Sequence, residues 1–154
     1  MLDEITVRTE AADSLVAVRL VEAMVAEMEE LYVLPPGSGL GTSADFAPPG
    51  GTFLVLYAGG RPVAGGGVMR DEDGVAEIKR MFVLPSARGR GHGRRVLDEL
   101  EAAAAELGYR RLRLDTAQSL TTAIALYRGA GYRDIPDYNG NSYASYWGEK
   151  LLRR

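Results

Sequence analysis

The run Val83-Leu84-Pro85-Ser86-Ala87-Arg88-Gly89-Arg90-Gly91-His92-Gly93-Arg94 concentrates glycine and arginine. Glycine lets a backbone adopt positive φ and approach a ligand closely. A helix that begins within such a run offers unpaired N–H groups and the positive end of its dipole. Together these features favour a phosphate or pyrophosphate, and Arg88, Arg90, Arg94 and Arg95 add positive charge. A Walker A loop is excluded because no Gly-Lys-Ser or Gly-Lys-Thr is present. A dinucleotide fingerprint fits partly. Gly91-His92-Gly93 is followed by Val96 where a third glycine belongs, and Asp115 stands where a ribose-binding acid would.

Composition narrows the chemistry. The chain has 154 residues, 46% apolar and 25% charged, values of one ordinary globular domain spanning 1–154. It has no cysteine, which removes disulfides, thiolate metal sites and a cysteine nucleophile. One histidine, His92, makes a His-rich metal site or a histidine dyad a poor choice, so no metal is expected. A net charge of −3 argues against nucleic acid. No apolar run spans a bilayer, and Met1-Leu2-Asp3-Glu4 lacks a signal sequence. The expectation is a cytoplasmic protein without a membrane partner.

The elements that must position the glycine-rich run follow from periodicity. Ile5 to Arg8 alternates as a short strand. Asp13 caps a helix in which Leu15, Val18, Val21, Val25, Met28 and Tyr32 share one face. Pro35 to Gly51 reads as a long loop, and loops of that length in compact domains are often functional. Thr52 to Ala58, a Gly59-Gly60 turn and Arg61 to Met69 form a hairpin. Gly65-Gly66-Gly67 signals a bulge or a close backbone approach within it. After a turn at Asp71 to Gly74, Val75 to Val83 is a third strand.

Beyond the loop Pro85 to Gly93, a helix carries Val96, Leu97, Leu100, Ala103, Ala104 and Leu107 on one face, closed by Gly108. Arg111 to Leu114 is a strand, and Ser119 caps a helix that runs to Ala130 and ends at Gly131. Tyr132 to Ile135 and Tyr143 to Leu151 complete the sheet. The order predicts an α+β fold with a mixed sheet. The three-strand meander upstream of the loop speaks against a dinucleotide-binding half-domain.

Arg88, Gly91 and Gly93 also satisfy the pattern R/Q-x-x-G-x-G/A. With this element order, the chain resembles the GNAT N-acetyltransferase superfamily over nearly its whole length. The resemblance is strongest from Glu77 to Tyr132, through Glu77-Ile78-Lys79-Arg80-Met81-Phe82-Val83, Leu114-Asp115-Thr116, Ala123-Ile124-Ala125-Leu126-Tyr127 and Gly131-Tyr132. It is similar to a small bacterial type. It implies a GNAT-like, mostly antiparallel sheet flanked by helices in three α/β/α layers. It also implies acetyl-CoA as cosubstrate. The pyrophosphate would lie on Arg88, Gly89, Arg90, Gly91, His92, Gly93 and Arg94, and the pantetheine arm along Met81, Phe82 and Val83.

The same resemblance implies Glu77 as the base and Tyr127 as the acid toward the leaving thiolate. Glu77 also fits a solvated pair with Lys79, and Tyr127 a core aromatic beside Ile124 and Ala130. Where many members carry an asparagine seven positions before the tyrosine, this chain has Leu120, which puts a side-chain amide contact to the cofactor in doubt. His92 is expected to face solvent near the phosphates. Tyr138, Asn139, Asn141, Tyr143 and Tyr146 are candidates to line the acceptor site, and turn or surface-strand roles explain them equally well. The expected reaction is N-acetyl transfer to a primary amine, on a small molecule or a protein. A non-catalytic coenzyme A-binding regulatory domain and a dinucleotide-binding oxidoreductase remain the alternatives. Many members of the superfamily dimerise, so by analogy a homodimer stands open beside a monomer.

Overall fold

The computed structural model describes residues 3–31, 40–117 and 120–152. Seven strands form one sheet in the order β1-β2-β3-β4-β5-β7-β6. They are β1 (Ile5–Thr9), β2 (Thr52–Ala58), β3 (Arg61–Glu72), β4 (Val75–Val83), β5 (Arg111–Thr116), β6 (Arg133–Asp134) and β7 (Tyr146–Leu151). The helices are α1 (Leu15–Leu31), α2 (His92–Glu106) and α3 (Thr121–Gly129). The β4–β5 pair is parallel, and the other neighbouring strands pair antiparallel. One parallel pair inside an antiparallel sheet is not a dinucleotide-binding unit, which rests on parallel βαβ repeats. Among the described residues no helix is long and apolar enough to cross a membrane.

Two apolar clusters sandwich the sheet. Leu54, Leu56, Ala64, Val68, Ala76 and Ile78 pack with Val96, Leu97, Leu100 and Ala104 of α2 and with Ile124 and Tyr127 of α3. Phe53, Val55 and Tyr57 face the opposite way, against Ala17 and Leu20 of α1 and Phe46. The α2 face matches its periodicity, except that Leu107 is left partly exposed at the helix end.

The α1 face differs from its expected stripe. Ala17, Leu20 and Met24 are buried, whereas Leu15 is 64% and Val18 38% exposed. Ala17, with no accessible surface, lets the helix lie close to the sheet, so the small residue marks the contact rather than the larger ones beside it. Ser14, not Asp13, satisfies the first turn, its Oγ accepting from Ala17 N–H at 3.2 Å. Tyr32, Ser119 and the first part of the Pro35 to Gly51 loop lie outside the described residues. Leu120 takes the N-cap position of α3 without a side-chain cap.

The triple glycine has a reason on each face. A side chain at Gly66 would meet Leu100 Cδ1 at 2.9 Å and Met81 Cα at 3.2 Å. On the other face, a Cβ at Gly67 would lie 2.5 Å from Phe46 Cδ1. The strand pairing skips here: Gly65 pairs with Phe82 and Gly67 with Lys79. Arg80 and Met81 therefore oppose Gly66 alone, which is a β-bulge in β4. Arg80 has φ of +59°, a conformation costing about 1–2 kcal/mol for a residue with a side chain. Its guanidinium donates to the carbonyls of Leu40 and Gly41, both at 2.9 Å, and covers the Phe46 ring. Gly67→Ala is expected to destabilise the fold by about 1–3 kcal/mol through overpacking against Phe46. The melting temperature should fall by roughly 2–4 °C per kcal/mol. An unchanged melting curve would show that Phe46 yields freely.

Candidate active site

The bulge matters because of what β4 does next. β4 and β5 pair at three positions only, Val75↔Arg111, Ala76↔Leu112 and Glu77↔Arg113. Beyond Glu77 no pairing joins the two strands, and a cleft of about 680 Å³ lies between Ile78–Val83 on one side and Leu114–Thr116 on the other. Its far walls include Met24 and Glu27 of α1, the glycine-rich loop, and Leu126 and Tyr127 of α3. A second cavity of about 420 Å³ is lined by Met69, Glu77, Lys79 and the segment from Asn139 to Tyr143. Lys79, Asn141 and Tyr143 line both.

At one end of the cleft the backbone is built for an anion. Gly89 and Gly91 have φ of +80° and +81°, and a Cβ at either would meet nothing within 4 Å. Their glycine character therefore serves conformation rather than space. Gly91 is the N-cap of α2. Arg88 N–H bonds Pro85 O and Arg95 N–H bonds Gly91 O, while no N–H from Gly89 to Arg94 bonds a backbone carbonyl among the described residues. These open amides at the positive end of a 15-residue helix suit phosphate oxygens.

The arginines are less free than the sequence suggests. Arg94 pairs with Asp98 and Arg95 with Glu99 along α2. Arg88 pairs with Glu27 at 2.8 Å, donates through Nε to Val83 O at 3.0 Å, and lies over the Phe82 ring. Arg90 does not line the cleft, whereas Arg88 and Arg94 do. His92 corrects its expectation: it is 8% exposed and lines the cleft wall instead of facing solvent. The first residue of α2 packs inward with the helix.

Tyr127 is both a core aromatic and a cleft residue. Its ring stacks on Tyr146 at 6.5 Å and meets Tyr132 edge-on at 6.1 Å. Its hydroxyl makes no hydrogen bond among the described residues. Burial, and then the charge of Asp115 and the neighbouring Tyr146, push its pKa up to about 12. It is a neutral hydroxyl throughout the physiological range. Tyr146 is buried, stacks on Tyr127 and lines neither of the two cavities.

Glu77 is not a solvated residue. It is 5% exposed, and three donors converge on its Oε2. They are Tyr138 Oη at 2.5 Å, Asn139 Nδ2 at 3.0 Å and Lys79 Nζ at 3.3 Å. Asp115, at the end of β5, mirrors this arrangement. Its Oδ2 receives Asn139 Nδ2 at 2.6 Å, Lys79 Nζ at 3.3 Å and Asn141 Nδ2 at 3.3 Å. Asn139 Oδ1 accepts from Trp147 Nε1 and from Asn141 N–H, which fastens the segment to β7. Burial first, and then Glu77, raise the Tyr138 hydroxyl well above its ordinary range and keep it a donor. Among the described residues no group of three or more acidic or histidine side chains is disposed to hold a metal ion.

Asp115 and Asn139 are thus central to the polar network, and sequence reasoning missed this role. The available signal was position: Asp115 ends a parallel strand, where α/β sheets place their ligand sites.

Comparison with known proteins agrees with this geometry. The model of the acetyltransferase (GNAT) family matches residues 29–132. An IAA acetyltransferase of Azospirillum brasilense is 35% identical over 134 residues, 86% of this chain and 87% of its own. The uncharacterized N-acetyltransferase YjgM of Escherichia coli is 33% identical over 96 residues, 60% of this chain and 57% of its own. A GNAT-family acetyltransferase of Staphylococcus aureus shares the fold at a TM-score of 0.80, with 16% identity and coverage of 97% of this chain and 100% of its own. The family model covers the β4 strand, the glycine-rich loop and the tyrosine helix that together build the cleft. The chain belongs to the acetyltransferase (GNAT) family, the acetyl-CoA-dependent N-acetyltransferases.

Proposed function

We propose that this chain transfers an acetyl group from acetyl-CoA to a primary amine by direct attack, with Glu77 as base and Tyr127 as acid. The observation that carries this reading is the junction of the two cavities. One holds the anion-binding loop and Tyr127, the other holds Glu77, and they share Lys79, Asn141 and Tyr143. Acetyl-CoA fits the first cavity by chemistry. Its pyrophosphate would meet the amides from Gly89 to Arg94, flanked by Arg88. Its pantetheine amides would pair with the main chain of Met81, Phe82 and Val83, where β4 has no β5 neighbour. The Val83 carbonyl already accepts from Arg88, and its second lone pair remains for a ligand amide.

The amine would enter through the second cavity, beside Glu77. Its nitrogen attacks the thioester carbonyl, the C–S bond breaks, and the proton lost from nitrogen is taken by Glu77 while Tyr127 protonates the departing sulfur. Holding both substrates at one junction supplies the orientational part of the rate gain. The test is thiol release from acetyl-CoA across a panel of primary amines, with the acetylated amine identified by mass. Release that requires the amine supports the reading. A melting shift with acetyl-CoA but no amine-dependent release would leave a coenzyme A-binding module.

The base assignment has its own test. Glu77→Gln keeps the side-chain size and removes the basic oxygen. Its activity should fall most at low pH, where the free-amine fraction is smallest, and recover in part as pH rises. A small loss, flat with pH, would make Glu77 structural.

A further inference from the structure

Direct transfer leaves a proton problem that the Glu77 and Tyr127 assignments do not solve. After one turnover Glu77 holds a proton and Tyr127 has lost one. The two residues belong to different cavities, and both are buried, at 5% and 7% exposure. From Glu77 a row of ionisable groups leads into the cleft that Tyr127 lines. Glu77 Oε2 is 3.3 Å from Lys79 Nζ, and Lys79 Nζ is 3.3 Å from Asp115 Oδ2. Asp115 and Tyr127 line the same cleft, and Lys79 lines both cavities.

The identity of the central group is informative. Of the 18 lysine and arginine residues in the chain, only Lys79 and Lys150 are lysine. Arginine supplies the cation everywhere else, including the partly buried Arg113 beside Glu149. Arginine is a permanent cation, whereas a buried lysine can give up its proton and take another. Arg113 also meets two carboxylates, Asp71 and Glu149, but it lines neither cavity; where the two cavities join, the cation set between two carboxylates is Lys79.

We propose that Lys79 is a proton carrier that connects the base to the acid, returning the amine proton from Glu77 to Tyr127 by way of Asp115. The proposal rests on the assignment of Glu77 and Tyr127 given above. The steps balance. Glu77 takes the proton of the attacking nitrogen. Lys79 ammonium passes a proton to Asp115 and receives one from Glu77, which restores both Glu77 and Lys79. Protonated Asp115 returns the proton through a water in the cleft that both residues line to the Tyr127 phenolate left by protonation of sulfur. The net change is loss of one proton from nitrogen and gain of one by sulfur, with every side chain back in its starting state. Asn139, which donates to both Glu77 and Asp115, holds the two carboxylates in register and moves no proton.

The experiment compares Lys79→Arg with Lys79→Met, using acetyl-CoA and the best amine of the panel. If Lys79 carries protons, both variants should lose kcat by about 10²-fold, the low end of general acid–base effects. KM for both substrates and the acetyl-CoA melting shift should change little. Imidazole, a small mobile carrier, should restore turnover in both variants in proportion to its concentration and leave the wild type unaffected. If Lys79 is only a charge that holds the carboxylates, arginine should substitute for it and Lys79→Arg should turn over like the wild type. That result, or a loss in both variants without an imidazole response, overturns the relay. Glu77→Gln, assayed alongside, separates the two hypotheses. Full activity of Glu77→Gln removes the base assignment itself. An impaired Glu77→Gln with a fully active Lys79→Arg removes the relay alone.

Discussion

Tyr127→Phe is expected to lower kcat by about 10- to 10⁴-fold, the scale of a lost general acid, while the affinity for acetyl-CoA stays close to that of the wild type. The structure makes this substitution unusually clean. The Tyr127 ring is held by Tyr132, Tyr146 and the α2–α3 core, and phenylalanine keeps those contacts. The hydroxyl makes no hydrogen bond among the described residues, so its removal leaves no buried partner unsatisfied there. Burial holds the phenol pKa at about 12, so the wild-type group enters the reaction protonated across the working pH range. The measurement is kcat and KM for both substrates, with the acetyl-CoA melting shift as an independent reading of binding. Equal turnover would leave Tyr127 as a packing residue and place the proton donor elsewhere in the cleft.

Gly91→Asp should abolish acetyl-CoA binding while the chain stays folded. For the wild type, acetyl-CoA at a hundredfold excess over its Kd contributes about 2.7 kcal/mol of apparent stability. For a chain of this length that is roughly 5–10 °C in Tm. The variant should show almost none of it. A side chain at Gly91 meets no atom of the protein within 4 Å, so the added carboxylate occupies the space at the N-terminus of α2. Aspartate tolerates positive φ better than most residues and is favourable at a helix start. The positive φ at Gly91 costs about 1–2 kcal/mol of fold stability, which lowers the ligand-free melting temperature of the variant, and the loss of the acetyl-CoA shift falls on the anion. NADH and ATP should give no comparable shift with the wild type. An undiminished acetyl-CoA shift in Gly91→Asp would move the binding site away from this loop.

These two variants probe two walls of one cleft, its anion end and α3, which were not equally visible in the sequence. The anion end is local. Gly89, Gly91 and the start of α2 lie within a few residues, and their conformations follow from chain chemistry over that short span. β4 has the same limits, Val75 and Val83, in the periodic reading and in the structure, because alternation and turn residues act along the chain. The Gly59-Gly60 turn behaves likewise, with both residues at positive φ. Tyr127 could be placed on α3 as the candidate acid by resemblance, and its place as both core and cleft residue was open from the helix face alone.

What the chain order could not supply is convergence. The α1 face turned out to be set by Ala17, since the depth at which a helix sits on a sheet depends on the partner surface. His92 faces inward because α2 begins at that residue and packs on the sheet. In the sequence Asp115 stood at a strand end where a ribose-binding acid would, and Asn139 fitted an acceptor-site lining or a turn equally well. They meet Glu77 and Lys79 because β4 and β5 run parallel for three pairs and then part beyond Glu77, ahead of the Arg80 bulge, and because Trp147 and the two carboxylates fasten the Asn139 segment over the gap. Sequence by itself determined the elements, the anion loop and the family resemblance, because each depends on spacing over a few residues. The tertiary structure alone decided the polar network between the two cavities, since contacts such as Lys79–Asp115 and Glu77–Asn139 join residues 36 and 62 apart through strand register, a bulge and buried hydrogen bonds.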